Sequence, residues 1–236
     1  MSEFVFPEVI PAHIDKAVPL KKNEIHLYTV SIPELKGRLK SLSSCLSKEE
    51  QARASRFLNP EHGDNHRCVR GLLRQLLSRY LVTEPSSIRF EYADHGKPYL
   101  INSPDLHFNL SHSRDMASVT VYREAEIGVD IEYMRPQKNL AGMIRHVASE
   151  REQIELNALD ETDVYDAFYR LWTRKEAFIK AVGRGLGMGL RSIHIGTQAS
   201  DFPLAVTYKN KQQKKCLISD IKAPENYRQA ICVYQP

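Results

Sequence analysis

Paired cysteines are missing from this chain of 236 residues: Cys45, Cys68, Cys216 and Cys232 are scattered, with no Cys-x-x-Cys among them. That spacing fits neither a zinc knuckle nor a dense disulfide framework, and reads as ordinary reduced thiols. Long apolar runs are missing too, since none approaches the roughly 18–20 residues that cross a bilayer. The opening Met1-Ser-Glu-Phe-Val-Phe-Pro-Glu-Val9 carries acids and a proline where a secretory signal has a basic and then an apolar stretch. A soluble, cytoplasmic protein is expected. Charge of one sign is scarce: 33 Lys and Arg against 29 Asp and Glu leave a net +4. That excess suits acidic partners and is too small to indicate nucleic-acid binding. Apolar residues are not scarce. At 42% hydrophobic and 26% charged, the chain has the composition of a packed globular protein, one large domain or two small ones.

Periodicity and turn chemistry divide it further. A strand with the sequence Glu24-Ile-His-Leu-Tyr-Thr-Val-Ser-Ile opens the chain. Ser47 with Glu50 three residues later makes a capping box that starts a helix, and Asn59-Pro60 interrupts it. A second helix is expected over about 64–81, where Val69, Leu72, Leu73, Leu76, Leu77 and Tyr80 form one stripe. Strands follow at 88–92, 106–110 and 117–122, closed by turn residues that include Gly96-Lys97-Pro98 and the run from Ser111 to Asp115. After Gly128, Val-Asp-Ile-Glu-Tyr alternates as a strand does. Helices are expected within 139–182, a glycine-rich stop at 183–189, and strands near 192–195, 204–209, 216–221 and 229–234. Helices then strands, twice over, predict an α+β fold of two halves, 1–125 and 126–236. No internal repeat in the sequence establishes a duplication.

Asp130 and Glu132, two apart on a strand, point to one face while Val129 and Ile131 point to the other. Such a pair is either solvated or a cation site, and magnesium commonly takes one or two carboxylates. On the helix expected at 164–182, Trp172, Glu176 and Lys180 recur at four-residue steps, which alone reads as a surface ion pair beside an aromatic. The glycines after it stop a helix and do not join a strand to one, so they are no dinucleotide fingerprint. Arg67, Arg70 and Arg74 run along the second helix, with Arg53 and Arg56 on the one before; they are a solvated face or a phosphate grip. His62-x-x-x-His66 has a glycine between and no glutamate, and does not read as a zinc site.

The order of these pieces is more specific than any one of them. Gly96-Lys97-Pro98, Phe108-Asn-Leu-Ser-His-Ser113, Ile127-Gly-Val-Asp-Ile-Glu132 and Phe168-Tyr-Arg-Leu-Trp-Thr-Arg-Lys-Glu-Ala-Phe-Ile-Lys180 together resemble the 4′-phosphopantetheinyl transferase superfamily, in its larger single-chain form. Leu46-Ser-Lys-Glu-Glu-Gln-Ala-Arg-Ala-Ser-Arg-Phe57 and Val69-Arg-Gly-Leu-Leu-Arg74 are similar to that form as well. The resemblance covers about residues 42–190.

It implies two similar α+β halves in pseudo-twofold arrangement, with coenzyme A and Mg2+ in the cleft between them. Asp130, Glu132 and Glu176 are implied as metal ligands, Lys180 as the pyrophosphate lysine, and Ser111 and His112 as holders of the coenzyme A phosphates. Lys97 and Pro98 are implied against the adenine nucleotide, and Arg53 and Arg67 near the 3′-phosphate, with Arg70 and Arg74 as helpers. Glu50 stands where some members carry a basic residue, which shifts that grip toward Arg53, Arg67 and His112. The implied reaction is attack by a serine of an acidic apo carrier protein on the β-phosphorus of coenzyme A, releasing 3′,5′-ADP, with Glu176 the candidate base and a monomer expected. The rival readings are another Mg-dependent transferase or hydrolase of nucleotide pyrophosphates, and a non-catalytic nucleic-acid-binding module built on the arginines.

Overall fold

A computed structural model describes residues 5–14 and 19–236; the first four residues of the opening segment read above lie outside it. The chain starts with β1 (Glu8–Pro11) and β2 (Glu24–Ser31), then the short helices α1 (Ile32–Leu35), α2 (Leu39–Ser43) and α3 (Lys48–Ala54). The capping box that starts α3 is present in both directions: Glu50 N–H donates to Ser47 Oγ at 3.2 Å, and Ser47 N–H to Glu50 Oε2 at 3.0 Å. Helix α4 (Pro60–Leu81) begins four residues earlier than the stripe of leucines indicates. Asn59 accepts from Glu61 N–H at 2.9 Å as N-cap, and Pro60 sits at the first helical position, where a missing N–H costs nothing. The dipeptide that breaks one helix therefore opens the next. Leu72, Leu73, Leu76 and Leu77 of α4 pack into one core with Tyr28, Phe108, Val119 and Val121.

The hairpin β3 (Phe90–Tyr92) and β4 (Pro98–Leu100) leads to β5 (His107–Ser113) and β6 (Met116–Tyr122). Pairing of β5 with β6 continues to Ser113 opposite Met116, so Ser111, His112 and Ser113 lie in the strand and not in the turn their composition suggests. Arg114 and Asp115 make the turn, Arg114 at φ +51°. The first sheet has the order β1-β2-β6-β5, with β1 parallel to β2 and the rest antiparallel.

The second half runs through β7 (Glu126–Tyr133), α5 (Leu140–Val147), α6 (Glu150–Asn157), α7 (Glu161–Val182), β8 (Ile193–His194), β9 (Leu204–Tyr208), β10 (Lys211–Ile221) and β11 (Tyr227–Tyr234). Its sheet has the antiparallel order β7-β11-β10-β9-β8. Both halves share one connectivity: a strand, a long helix of 22 residues, then a hairpin whose last strand pairs with the first. The α+β fold of two similar halves is thus observed, although the sequence shows no repeat.

The halves meet along β5 and β7. Asn109 Oδ1 accepts from Val129 N–H at 3.0 Å, and Ser113 Oγ from Tyr133 N–H at 3.2 Å, so side chains of β5 bridge to the backbone of β7. Ile127 and Val129 of β7 are fully buried in a core with Ile25 and Leu27 of the first half and Ile231 and Val233 of the second. Each such side chain contributes roughly 1.5–3 kcal/mol on burial. The opposite face of β7 carries Gly128, Asp130 and Glu132, and α7 packs there. A Cβ on Gly128 would lie 2.0 Å from Ala177 O and 2.5 Å from Ala181 N. Only glycine lets the helix come this close, and that approach carries Glu176 and Lys180 toward the carboxylates of β7.

Candidate active site

Asp130 is buried. Its Oδ1 accepts from Lys180 Nζ at 2.6 Å and from Ser111 Oγ at 2.8 Å, and Lys180 also donates to Ser111 Oγ at 2.8 Å. The other oxygen, Oδ2, is buried with no partner among the described residues. Lys180 is therefore bound across the cleft to β7 and β5, not to Glu176 one helical turn away. Ser113 Oγ donates to Glu132 Oε2 at 2.6 Å while its lone pair takes the Tyr133 N–H. Ser111 and Ser113, two apart on β5, thus fix Asp130 and Glu132, two apart on β7.

Burial pushes the Glu132 carboxyl above the usual range, and the charges of Asp130 and Glu176 add to it against the Ser113 bond and Lys180. Burial also raises Glu176, with Asp130 adding to it and Lys180 opposing. Three mutually repelling carboxylates around one ammonium leave the site short of positive charge, which is what the unpartnered Oδ2 and the raised carboxyls express. A hard divalent cation fits that donor set. Among the described residues no three carboxylate, imidazole or thiolate groups close into a ready-made cage, so an ion held here draws further oxygens from water or substrate.

Beside Glu132 lies a cavity of about 630 Å³, lined by Ser113, Arg114, Tyr133, Gln137, Tyr169 and Trp172 among others. Arg114 lays its guanidinium over the Tyr133 ring, 4.2 Å from the centroid. Tyr169 and Trp172 stand against Phe168, which anchors this wall in the core. The motif around Trp172 divides sharply. Arg174 donates to Asp220, Gly196 O and Gln198 O, and Lys175 to Glu152 Oε2, Val147 O and Leu190 O, all away from the cleft. Only Glu176 and Lys180 of that motif join the carboxylates.

On the other side of Lys180, burial and the Lys180 charge lower the His112 imidazole, which stays neutral near pH 7. Arg53 on α3 belongs to the same basic group as His66, Arg70 and His112. Arg67 is bound to Asp64 at 3.0 Å and to Ser55 at 3.0 Å. Arg70 and Arg74 both take Glu50, and Arg74, buried, also donates to Pro85 O and Ile88 O. Glu50 therefore does more than cap α3: it is the shared counter-ion that locks α3 onto α4. Lys97 Nζ donates to Glu126 Oε2 at 2.6 Å and to Ala181 O at 2.7 Å, tying the end of α7 to the first half. Pro98 lines a second cavity of about 430 Å³ with Tyr99, Leu106, Phe108 and Gly183.

Sequence reasoning gave no role to Asn109 or Ser113, and weighed His66 only as half of a zinc pair with His62. The first two carry a readable signal, a polar residue at every second position of β5; the spacing of His66 from His62 points to no phosphate-side role.

Residues 126–232 match the family model of the 4′-phosphopantetheinyl transferase superfamily, and residues 34–123 match that of the 4′-phosphopantetheinyl transferase N-terminal domain. The chain is 38% identical over 170 residues to 4′-phosphopantetheinyl transferase HetI of Nostoc sp. (strain PCC 7120), covering 71% of this chain and 72% of that one. It is 32% identical over 195 residues to 4′-phosphopantetheinyl transferase Sfp of Bacillus subtilis (strain 168), covering 82% and 84%. It is 30% identical over 194 residues to 4′-phosphopantetheinyl transferase gsp of Aneurinibacillus migulanus, covering 81% and 77%.

Proposed function

The chain belongs to the 4′-phosphopantetheinyl transferase superfamily and is an enzyme that moves phosphopantetheine onto carrier proteins, and from that premise we propose how its residues divide the work. The observation that carries the proposal is the Lys180 ammonium held between Asp130 and Ser111 at the seam of the two halves. It is a fixed positive charge beside carboxylates that lack one.

In this reading coenzyme A lies along the seam. Its pyrophosphate meets Lys180, Ser111 and His112, its 3′-phosphate reaches the basic group at Arg53 with Arg67 at its edge, and its adenine sits by Lys97 and Pro98. Asp130, Glu132 and Glu176 would hold Mg2+, which when bound supplies positive charge to the pyrophosphate and to the departing phosphate. Lys180 donates to the pyrophosphate oxygens and keeps the β-phosphorus in line with the incoming serine. Glu176, whose carboxyl burial makes more basic, takes the proton from the serine Oγ. The serine oxygen forms its bond to the β-phosphorus as the bond from that phosphorus to the bridging oxygen of 3′,5′-ADP breaks. The backbone ties from Lys97 to Ala181 O keep Glu176 and Lys180 in place during this step.

Both halves of the site come from one chain, which supports action as a monomer, in halves 1–125 and 126–236. The net charge of +4 supports an acidic carrier. Four free, buried cysteines support a reducing compartment, the cytoplasm. A nucleic-acid surface is disfavoured because Arg67, Arg70 and Arg74 are bound to Asp64 and Glu50.

Incubation with coenzyme A, Mg2+ and an apo carrier tests the reading. The carrier mass should rise by one phosphopantetheine group. Loss of coenzyme A without that rise would favour a pyrophosphate hydrolase.

A further inference from the structure

His66, on the second turn of α4, has its Nε2 buried with no hydrogen-bond partner among the described residues. The Phe57 ring stands 5.4 Å from its imidazole. Charged and titratable groups face it from three elements: Arg70 one turn along α4, Arg53 and Glu50 from α3, and the neutral imidazole of His112 from β5. Glu50, the acid of that set, is already taken. Its Oε1 accepts from Arg70, and its Oε2 from Arg74 at 2.6 Å and from Ser47 N–H at 3.0 Å. No carboxylate is left to serve the imidazole. Arg67, the next residue, is bound to Asp64 and Ser55. The Arg53 guanidinium makes no hydrogen bond or ion pair with any described residue.

We propose that His66 is a proton-linked phosphate ligand: its imidazole is neutral in the free enzyme and binds a proton when a phosphate dianion enters beside Arg53, Arg70 and His112. The inference rests on the reading of this basic group as the place of the coenzyme A 3′-phosphate. Burial, then the charges of Arg70 and Arg53, hold His66 down to about 4 against an ordinary 6.5, and His112 adds to this where acid has protonated it. A further permanent cation here would be repelled in the empty protein. A histidine avoids that repulsion, because it charges only when an anion cancels its neighbours. The proton comes from solvent and is returned to it when 3′,5′-ADP leaves.

The test is a proton count. Calorimetric titration of coenzyme A into the protein, in two buffers of different ionisation heat at pH 6.5, gives the protons taken up on binding. Wild type should take up roughly half a proton or more beyond His66→Asn, and its affinity relative to that variant should climb by up to about tenfold for each unit the pH falls. The phosphate's own titration is common to both proteins and cancels in the difference. With dephospho-coenzyme A the difference should vanish. Equal proton counts for wild type and His66→Asn with coenzyme A overturn the proposal, as does a difference that persists without the 3′-phosphate. Should His66→Asn not fold, His66→Gln takes its place. Imidazole NMR of the wild type then follows the same event, as a histidine that titrates at about 4 when free and shifts upward with coenzyme A; no upward shift overturns the proposal. The carrier assay runs alongside: if no transfer occurs the transferase reading has failed, and if transfer occurs with equal proton counts only the role of His66 has.

Discussion

Replacing Lys175 by methionine should unfold this protein well before it harms the chemistry. Lys175 and Glu152 are both 0% exposed at the side chain, and Lys175 Nζ also donates to Val147 O at 2.9 Å and Leu190 O at 3.1 Å. Methionine keeps most of the volume and removes the charge. Glu152 keeps the N–H groups of Ser149, Ile195 and Gly196 but loses its cation, and two carbonyls lose their donor. Removing one member of a buried pair costs about 3–5 kcal/mol. At roughly 2–4 °C per kcal/mol for a chain of this size, the melting temperature should drop by about 6–20 °C. The double variant Lys175→Met/Glu152→Gln leaves no uncompensated charge and should recover over half of the loss. Lys180→Ala should do the reverse: a melting shift smaller than that of Lys175→Met, and single-turnover transfer down by roughly a hundredfold or more. Melting curves and transfer rates on the same preparations decide the matter. A Lys175→Met protein that melts like wild type but transfers poorly would refute the assignment of Lys175 to the frame.

Other expectations follow from single contacts. Burial works against the Glu126 carboxylate, but the His107 hydrogen bond and then the Lys97 charge hold it down to about 2 from 4.5; its contribution is present above pH 4.5 and is lost as pH falls toward 2, so Glu126→Gln should flatten melting temperature against pH in that window. Glu176 is shifted the other way, so the free protein loses stability as pH rises from 4.5 through its raised value; Glu176→Gln should melt higher than wild type at neutral pH, by a margin that shrinks on acidification, while transfer is abolished. Gly128→Ala drives a methyl into Ala177 O and should cost about 1–3 kcal/mol together with most turnover, because α7 must withdraw; normal transfer by that variant would mean the close approach is not needed. Ser113→Ala frees Glu132 from its 2.6 Å bond, worth roughly 1.5–3 kcal/mol, and should raise the Mg2+ needed for half-maximal transfer about ten- to hundredfold, with Ser113→Thr restoring part of it.

Local chemistry was legible in the sequence and tertiary pairing was not. Ser47 and Glu50 spell a capping box that the structure builds, because both partners lie within one turn. Asp130 and Glu132 share a face because strand periodicity guarantees it. The partner of Lys180 could not be read this way: Glu176 is the neighbour that helical spacing supplies, whereas the observed partner, Asp130, is 50 residues away. The polar run at Ser111–Ser113 has the composition of a turn, yet it is strand, since a strand lining a cleft is as polar as a loop. Arg67, Arg70 and Arg74 look alike on a helical face. Their separate fates depend on Asp64 beside one and on Glu50 beside the other two. Lys175 and Lys180 sit in one motif with nothing local to tell frame from chemistry; burial alone separates them.

The repeated connectivity of the halves has a consequence for stoichiometry. Two identical halves about a twofold axis would present two equal seams and two reaction centres. Here the equivalents of β7 and α7 in the first half, β2 and α4, carry no matching carboxylates: the face of β2 toward α4 presents His26, Tyr28 and Val30, and α4 gives much of its exposed side to arginines and histidines. One copy of the unit has become the acidic partner and the other the basic one. Each chain should therefore hold a single equivalent of coenzyme A and modify one carrier at a time.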